Sequence, residues 1–132
     1  DYATFDNEGY FYFKGRKDDI INTSGYRVGP TEIENSILSL DEVEMVAVIG
    51  VSDEVRGEII KAIVVPKDKS IIKSSSIDLK KRIREHVKIN LAAYEYPRLI
   101  EFKKDLPLTT TGKIKRNILR KDHLEEKYER KI

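Results

Sequence analysis

Apolar and polar positions change their period several times along this chain, and each change marks an element. Residues 5–15 read as a β-hairpin: Asn7-Glu8-Gly9 is a turn signal and Tyr10-Phe11-Tyr12-Phe13 is a β-prone run. Gly15-Arg16-Lys17-Asp18-Asp19 is a polar break. Ile20-Ile21 then leads to a short loop, Asn22-Thr23-Ser24-Gly25, and to Tyr26-Arg27-Val28. Gly29-Pro30-Thr31-Glu32 reads as a helix start, because Pro suits the first turn and Glu complements the helix dipole there. Ile33, Ile37 and Leu40 recur on one face and carry that helix to about Leu40. Val43 to Val51 predicts a strand. Val43, Met45, Ala47, Ile49 and Val51 share one face, and Val46 and Val48 make the other largely apolar, so both sides are expected to be covered.

Glu58 to Val65 predicts a second strand, ended by Pro66. Lys67–Ser76 is polar and reads as a loop. Ser75-Ser76-Ile77-Asp78 has the capping-box pattern and opens a helix in which Leu79, Ile83 and Val87 recur every four residues. Pro97 to Phe102 is a short strand. Leu106-Pro107-Leu108-Thr109-Thr110-Thr111-Gly112 is a loop, and a basic helix follows from about Ile114 to Tyr128. There are no internal repeats. The pattern is that of a small α+β domain with a long exposed loop on each side of its last strand.

Composition narrows the function classes. The 132 residues carry 25 basic and 23 acidic side chains, a net charge of +2, which argues against a strongly basic nucleic-acid module. Apolar residues are 39% and charged residues 36%, the balance of a globular chain. At this length roughly two thirds of the unfolded surface is buried on folding, so no staple is required. Cysteine is absent, which removes disulfides, thiolate metal sites and a Cys nucleophile. His86 and His123 lie too far apart in sequence to form a local ligand pair. No apolar run is long enough to span a bilayer. Asp1-Tyr2-Ala3-Thr4-Phe5-Asp6 has neither a basic n-region nor an apolar h-region, so a cytoplasmic protein is expected. The chain opens without Met in a polar stretch, as a piece of a longer protein would.

Three places invite a chemical reading. Gly112-Lys113 follows a threonine run, but a phosphate-binding P-loop needs Gly at position 107 and Ser or Thr at 114, where Pro107 and Ile114 stand. What survives is a lysine on a flexible Gly-preceded loop, which taken alone is a solvated surface residue. Arg16, Asp18, Asp19, Gly25 and Arg27 cluster in a second stretch. Arg suits bidentate phosphate contact, while the bland reading is a hydrophilic turn with surface ion pairs. Asn22-Thr23-Ser24 matches the N-glycosylation pattern and is read as chance. Residues 113–132 hold eight basic and four acidic side chains. Interleaved at helical spacing, they read as a solvated helix with i,i+4 pairs rather than a nucleic-acid surface.

Together these places resemble one family. Gly15-Arg16-Lys17-Asp18-Asp19-Ile20-Ile21-Asn22-Thr23-Ser24-Gly25-Tyr26-Arg27-Val28-Gly29-Pro30-Thr31-Glu32-Ile33-Glu34 resembles the hinge motif of the adenylate-forming superfamily of acyl-CoA synthetases, peptide-synthetase adenylation domains and luciferases. Leu106-Pro107-Leu108-Thr109-Thr110-Thr111-Gly112-Lys113-Ile114-Lys115-Arg116 resembles its terminal lysine motif. Val55-Arg56-Gly57-Glu58 and Tyr94-Glu95-Tyr96-Pro97-Arg98 are similar to the medium-chain and aryl acyl-CoA synthetase branch.

The resemblance implies a fold, a small mixed or antiparallel sheet with helices packed on it, preceded by a short β-hairpin. It also implies a division. Residues 1–17 end a large N-terminal AMP-binding domain and approach the hinge, and residues 18–132 form a C-terminal lid. By the same resemblance Lys113 is the catalytic lysine and Asp18 the hinge, while Asp1, Arg16 and Arg27 contact the nucleotide. Gly25 and Lys88 lie beside CoA, Gly25 because a missing Cβ permits close approach. The implied activity is an acid–thiol ligase that turns carboxylate, ATP and CoA into acyl-CoA, AMP and pyrophosphate through an acyl-adenylate. ATP, Mg2+ and CoA serve the whole enzyme; this piece binds none of them tightly and is inactive by itself. Its expected partners are its own N-terminal domain, a small carboxylate and CoA, with no nucleic acid, no membrane span and no metal of its own. Two alternatives remain: a lid serving a carrier-protein thiol, and a non-enzymatic binding module with a basic C-terminal helix.

Overall fold

The structure, a computed structural model, describes residues 2–5, 11–15, 19–74 and 76–131, with side chains described over 19–74 and 76–126. β1 (Tyr2–Phe5) and β2 (Phe11–Gly15) pair antiparallel; the Asn7-Glu8-Gly9 turn lies outside the described residues. The main sheet contains β3 (Ile21–Thr23), β4 (Tyr26–Val28), β5 (Val43–Asp53), β6 (Gly57–Pro66) and β7 (Pro97–Phe102). β5 lies antiparallel along the whole of β6. On the other edge of β6, β3 pairs at Gly57 and β7 runs parallel from Ile60 to Val64, so the sheet is mixed.

Both faces of the sheet are covered. α1 (Pro30–Leu38) and α3 (Ile77–Asn90) bury Ile33, Ile37, Leu79, Ile83 and Val87 against Val46, Val48, Ile60, Ala62 and Val64. α4 (Arg116–Lys131) and the preceding loop bury Leu119 and Leu106 against Ala47, Ile49, Val51, Ile63 and Val65. Each fully buried Ile or Leu contributes about 1.5–3 kcal/mol, so these two layers hold the domain together without a cross-link. Among the described residues no helix is long and apolar enough to cross a membrane.

The structure corrects four sequence expectations. Val43 sits with Val46 and Val48, not with Met45, because a bulge between Val43 and Met45 inserts one residue against β6 and reverses the alternation. Within the polar 67–76 stretch, Ser70–Ser74 forms a short helix, α2, started by Asp68, whose carboxylate accepts the Ser70 amide at 3.0 Å. The cap of α3 is Ser76, whose Oγ accepts the Leu79 amide at 3.2 Å; the third helical position is therefore Leu79 and no reciprocal acidic partner completes a capping box. The last helix starts at Arg116 rather than Ile114, since Ile114 is engaged in a β-bridge with Leu108.

Candidate functional site

The lysine loop is a closed turn, not the flexible segment its composition suggests. Leu108 bridges Ile114, the Thr109 amide donates to the Lys113 carbonyl at 2.7 Å, and the Lys113 amide donates to Thr109 Oγ1 at 3.0 Å. The Gly112 amide donates to the Thr109 carbonyl at 3.0 Å, and Gly112 takes φ +87°, a conformation that disfavours a side chain. These bonds commit the Thr109, Gly112 and Lys113 amides to the loop's own shape. They leave the Lys113 side chain exposed, with no ion pair to it among the described residues.

Ile21 to Val28 forms a second tight turn. The expected loop at 22–25 is a two-residue hairpin: Thr23 pairs with Tyr26, and Ser24 and Gly25 take φ +50° and +85°. Positive φ at both central positions is the mirror-image turn whose twist suits paired strands. A Cβ at Gly25 would meet nothing within 4 Å, so inside this chain the glycine answers the turn, and the space beside it is open. The hairpin is docked on the turn between β5 and β6. The Ser24 amide donates to the Arg56 carbonyl at 2.9 Å and the Asn22 amide to Glu58 Oε1 at 2.8 Å. Within that turn the Arg56 and Val55 amides both donate to Asp53 Oδ2 and hold its carboxyl below the usual carboxylate range.

Beside this hairpin opens a cleft of about 480 Å³, lined by Arg27, Thr31, Glu32, Asn35, Tyr94 and Glu95 among others. The Tyr26 and Tyr94 rings stack across its edge, with centroids 4.0 Å apart and planes 8° apart. Glu95 belongs to a single 3-10 turn, Ala93–Glu95, and its Oε1 accepts the Ala92 amide at 3.3 Å. Burial first, and then the neighbouring Glu32 carboxyl, push Glu95 up to about 7. The cleft therefore holds one guanidinium, Arg27, and two carboxyls, of which Glu95 keeps its proton to higher pH than an ordinary carboxylate.

Sequence reasoning missed a third feature. Arg116 spans Glu34 with Nε to Oε2 at 3.2 Å and Nη2 to Oε1 at 2.6 Å, and places Nη1 3.4 Å from Asp19 Oδ2. Arg120 Nη1 donates to the other Asp19 oxygen at 3.1 Å. Glu34 Oε2 also accepts the Val48 amide at 2.8 Å, on the free edge of β5. Burial raises the Glu34 carboxyl more than Arg116 and the Val48 amide lower it. The described ion pairs of α4 thus reach other elements instead of running i,i+4 along the helix. Two signals were present in the sequence. Glu34 interrupts the apolar face of α1, and Arg116 and Arg120 are like charges at i,i+4, a spacing that repels unless an acid lies between them.

Of the expected site residues, Gly25 and Arg27 share the hairpin, and only Arg27 lines the cleft. Lys88 stands exposed in the last turn of α3, where a cation complements the dipole; neither it nor Lys113 lines that cleft. Asp1, Arg16 and Asp18 lie outside the described residues. Among the described residues no three His, Asp or Glu side chains gather as a metal site would need.

The sequence pattern of the AMP-binding enzyme C-terminal domain family matches residues 32–113. 4-Hydroxybutyrate–CoA ligase 1 of Metallosphaera sedula is 49% identical over 127 residues, 96% of this chain and 22% of that protein. The mitochondrial acyl-coenzyme A synthetase ACSM2B of Homo sapiens is 49% identical over 115 residues, 87% of this chain and 20% of that protein. Among solved structures, an acyl-CoA synthetase of Brucella canis superposes with a TM-score of 0.76 at 40% identity, over 95% of this chain and 22% of that one. The anthranilate CoA ligase AuaEII, solved with anthranoyl-AMP, superposes with a TM-score of 0.78 at 38% identity, over 91% of this chain and 23% of that one. The chain spans about a fifth of the length of the curated relatives it matches.

Proposed function

This chain belongs to the AMP-binding enzyme C-terminal domain family, and on that premise we propose that it is the lid of an AMP-forming acyl-CoA synthetase. The observation that carries this reading is Lys113. A turn closed by its own hydrogen bonds holds the side chain out to solvent, ready for a reaction centre on another domain.

In the first half-reaction a carboxylate attacks the α-phosphate of ATP, giving an acyl-adenylate and pyrophosphate. Two anions must approach and charge builds on the phosphoryl oxygens, which a compact ammonium offsets. In the second, the thiol of CoA attacks the acyl carbon and expels AMP. Lys113 then withdraws and the Gly25–Arg27 hairpin faces the centre, by rotation of residues 18–132 about Asp18 against a larger domain that ends at residue 17. The open space beside Gly25 admits a narrow chain, and Arg27, with Arg16 and Asp1, serves the nucleotide. Lys88 offers a further cation to CoA. Mg2+ arrives with ATP, and the described residues contain no cluster suited to hold it. The compartment in this reading is the cytoplasm, although several relatives carry mitochondrial names.

In the full-length protein, Lys113→Ala is expected to lower carboxylate-dependent pyrophosphate exchange by about 10²–10³-fold while sparing thioester formation from a supplied acyl-adenylate. Near-normal exchange would end the reading. The 132 residues alone are expected to make no acyl-CoA, and any turnover by them contradicts the lid assignment.

A further inference from the structure

On the footing that Lys113 is the adenylation lysine, we propose that Arg116 is its positioning residue, clamping the base of the lysine loop to the body of the lid and to the chain beside the hinge. The loop's internal bonds determine its shape but not its direction. Thr110, Thr111, Gly112 and Lys113 are exposed, and a Cβ at Gly112 would meet nothing within 4 Å. Direction must come from the flanks. Upstream is the buried Leu106; downstream, Ile114 packs against the same core cluster, and Arg116, three residues after Lys113, is the first residue of α4.

The guanidinium is suited to this role. Its fork takes both oxygens of Glu34, which in turn holds the Val48 amide of β5, and its remaining nitrogen reaches Asp19. Arg120 holds the second Asp19 oxygen. The four side chains are only 7–28% exposed, and two cations balance two anions, so water competes little for these bonds. Asp19 adjoins the proposed hinge residue, Asp18. One residue therefore ties the lysine loop, α1, β5 and the hinge-side chain into a body that rotates as a unit. Misplacing a catalytic group by about 1 Å costs on the order of 10²-fold in rate, so loss of the clamp is a catalytic event even where the fold survives.

The test uses the full-length protein with Arg116→Gln, and Leu119→Ala as a packing change on the same helix that touches none of these ions. Amide hydrogen exchange is followed by mass spectrometry, and both half-reactions are assayed with benzoate and hexanoate. For Arg116→Gln, residues 107–115 are expected to exchange about tenfold faster while β5 and β6 keep their protection. The kcat of pyrophosphate exchange should fall on the order of 10²-fold with KM for ATP unchanged, and thioester formation from a supplied adenylate should keep its rate. Leu119→Ala should lower thermal stability without that split. Unchanged protection at 107–115, acceleration spread evenly over the lid, or equal loss in both half-reactions overturns the clamp. Should Arg116→Gln not fold, Arg116→Lys, which keeps the charge and loses the fork, is read by the same criteria. If Lys113→Ala leaves pyrophosphate exchange intact, the adenylation reading fails, and the amide exchange of 107–115 alone decides whether the clamp exists.

Discussion

Glu32 and Glu34 leave the same helix two residues apart and meet opposite company. Glu34 turns inward, where the Arg116 fork and the Val48 amide receive it. Glu32 faces the cleft beside β4 and meets a second carboxyl, Glu95. Two residues of an α-helix are about half a revolution, so the pair was bound to point to different sides. Which partner waited on each side was settled by elements far along the chain. Burial raises a carboxyl in both places. At Glu34 two donors partly offset that rise; at Glu95 the nearest acid adds to it. The lesson is that a buried carboxylate is a clamp where a guanidinium faces it, and holds its proton to higher pH where another acid does.

The largest expected effect breaks the clamp side. Glu34→Ala leaves Arg116 without its bidentate partner and the Val48 amide without an acceptor, and should cost about 3 kcal/mol in urea unfolding. Glu32→Ala, at an exposed position, should stay within roughly 0.5 kcal/mol. Similar losses at the two positions would erase the distinction.

The next effect is one of pH. Glu95 binds its proton more tightly folded than unfolded. The stability this contributes is complete below the ordinary carboxylate value and is lost as pH rises towards about 7. Glu95→Gln removes that loss. The variant's melting temperature relative to the parent should therefore rise between pH 5 and pH 8, with Glu32 and Arg27 the charged groups sharing the cleft. A difference that stays constant across that range would mean Glu95 does not titrate there.

The smallest effect separates the two causes. In Glu32→Gln, carboxyl NMR should show the Glu95 midpoint falling only part of the way to the ordinary range, because burial is the larger cause. An unmoved midpoint would assign the whole shift to burial.

Much of this was legible in the one-dimensional pattern, and the reason is local. Ile33 and Ile37, and then Leu79, Ile83 and Val87, recur at helical spacing, and all are buried where that spacing put them. The apolar run of β5 announced a strand covered on both faces. The lysine loop and the Gly25–Arg27 hairpin were legible as motifs, since their residue types stand in a specific order. What escaped depended on neighbours. The reversal at Val43 exists only because β6 pairs across a bulge, and α2 is too short to show a period. The ordered lysine turn rests on a bridge and on the Thr109 hydroxyl, which a string of Thr and Gly does not reveal.

By itself, then, the order of residues determined which segments become helix or strand and which side chains are offered to chemistry, because those follow from spacing and backbone preference. Only the folded arrangement decided that Arg116, Asp19 and Glu34 form one buried unit and that Glu95 faces Glu32. Those contacts join residues distant in sequence, and their energies depend on burial, which exists only once the sheet and its helices have packed.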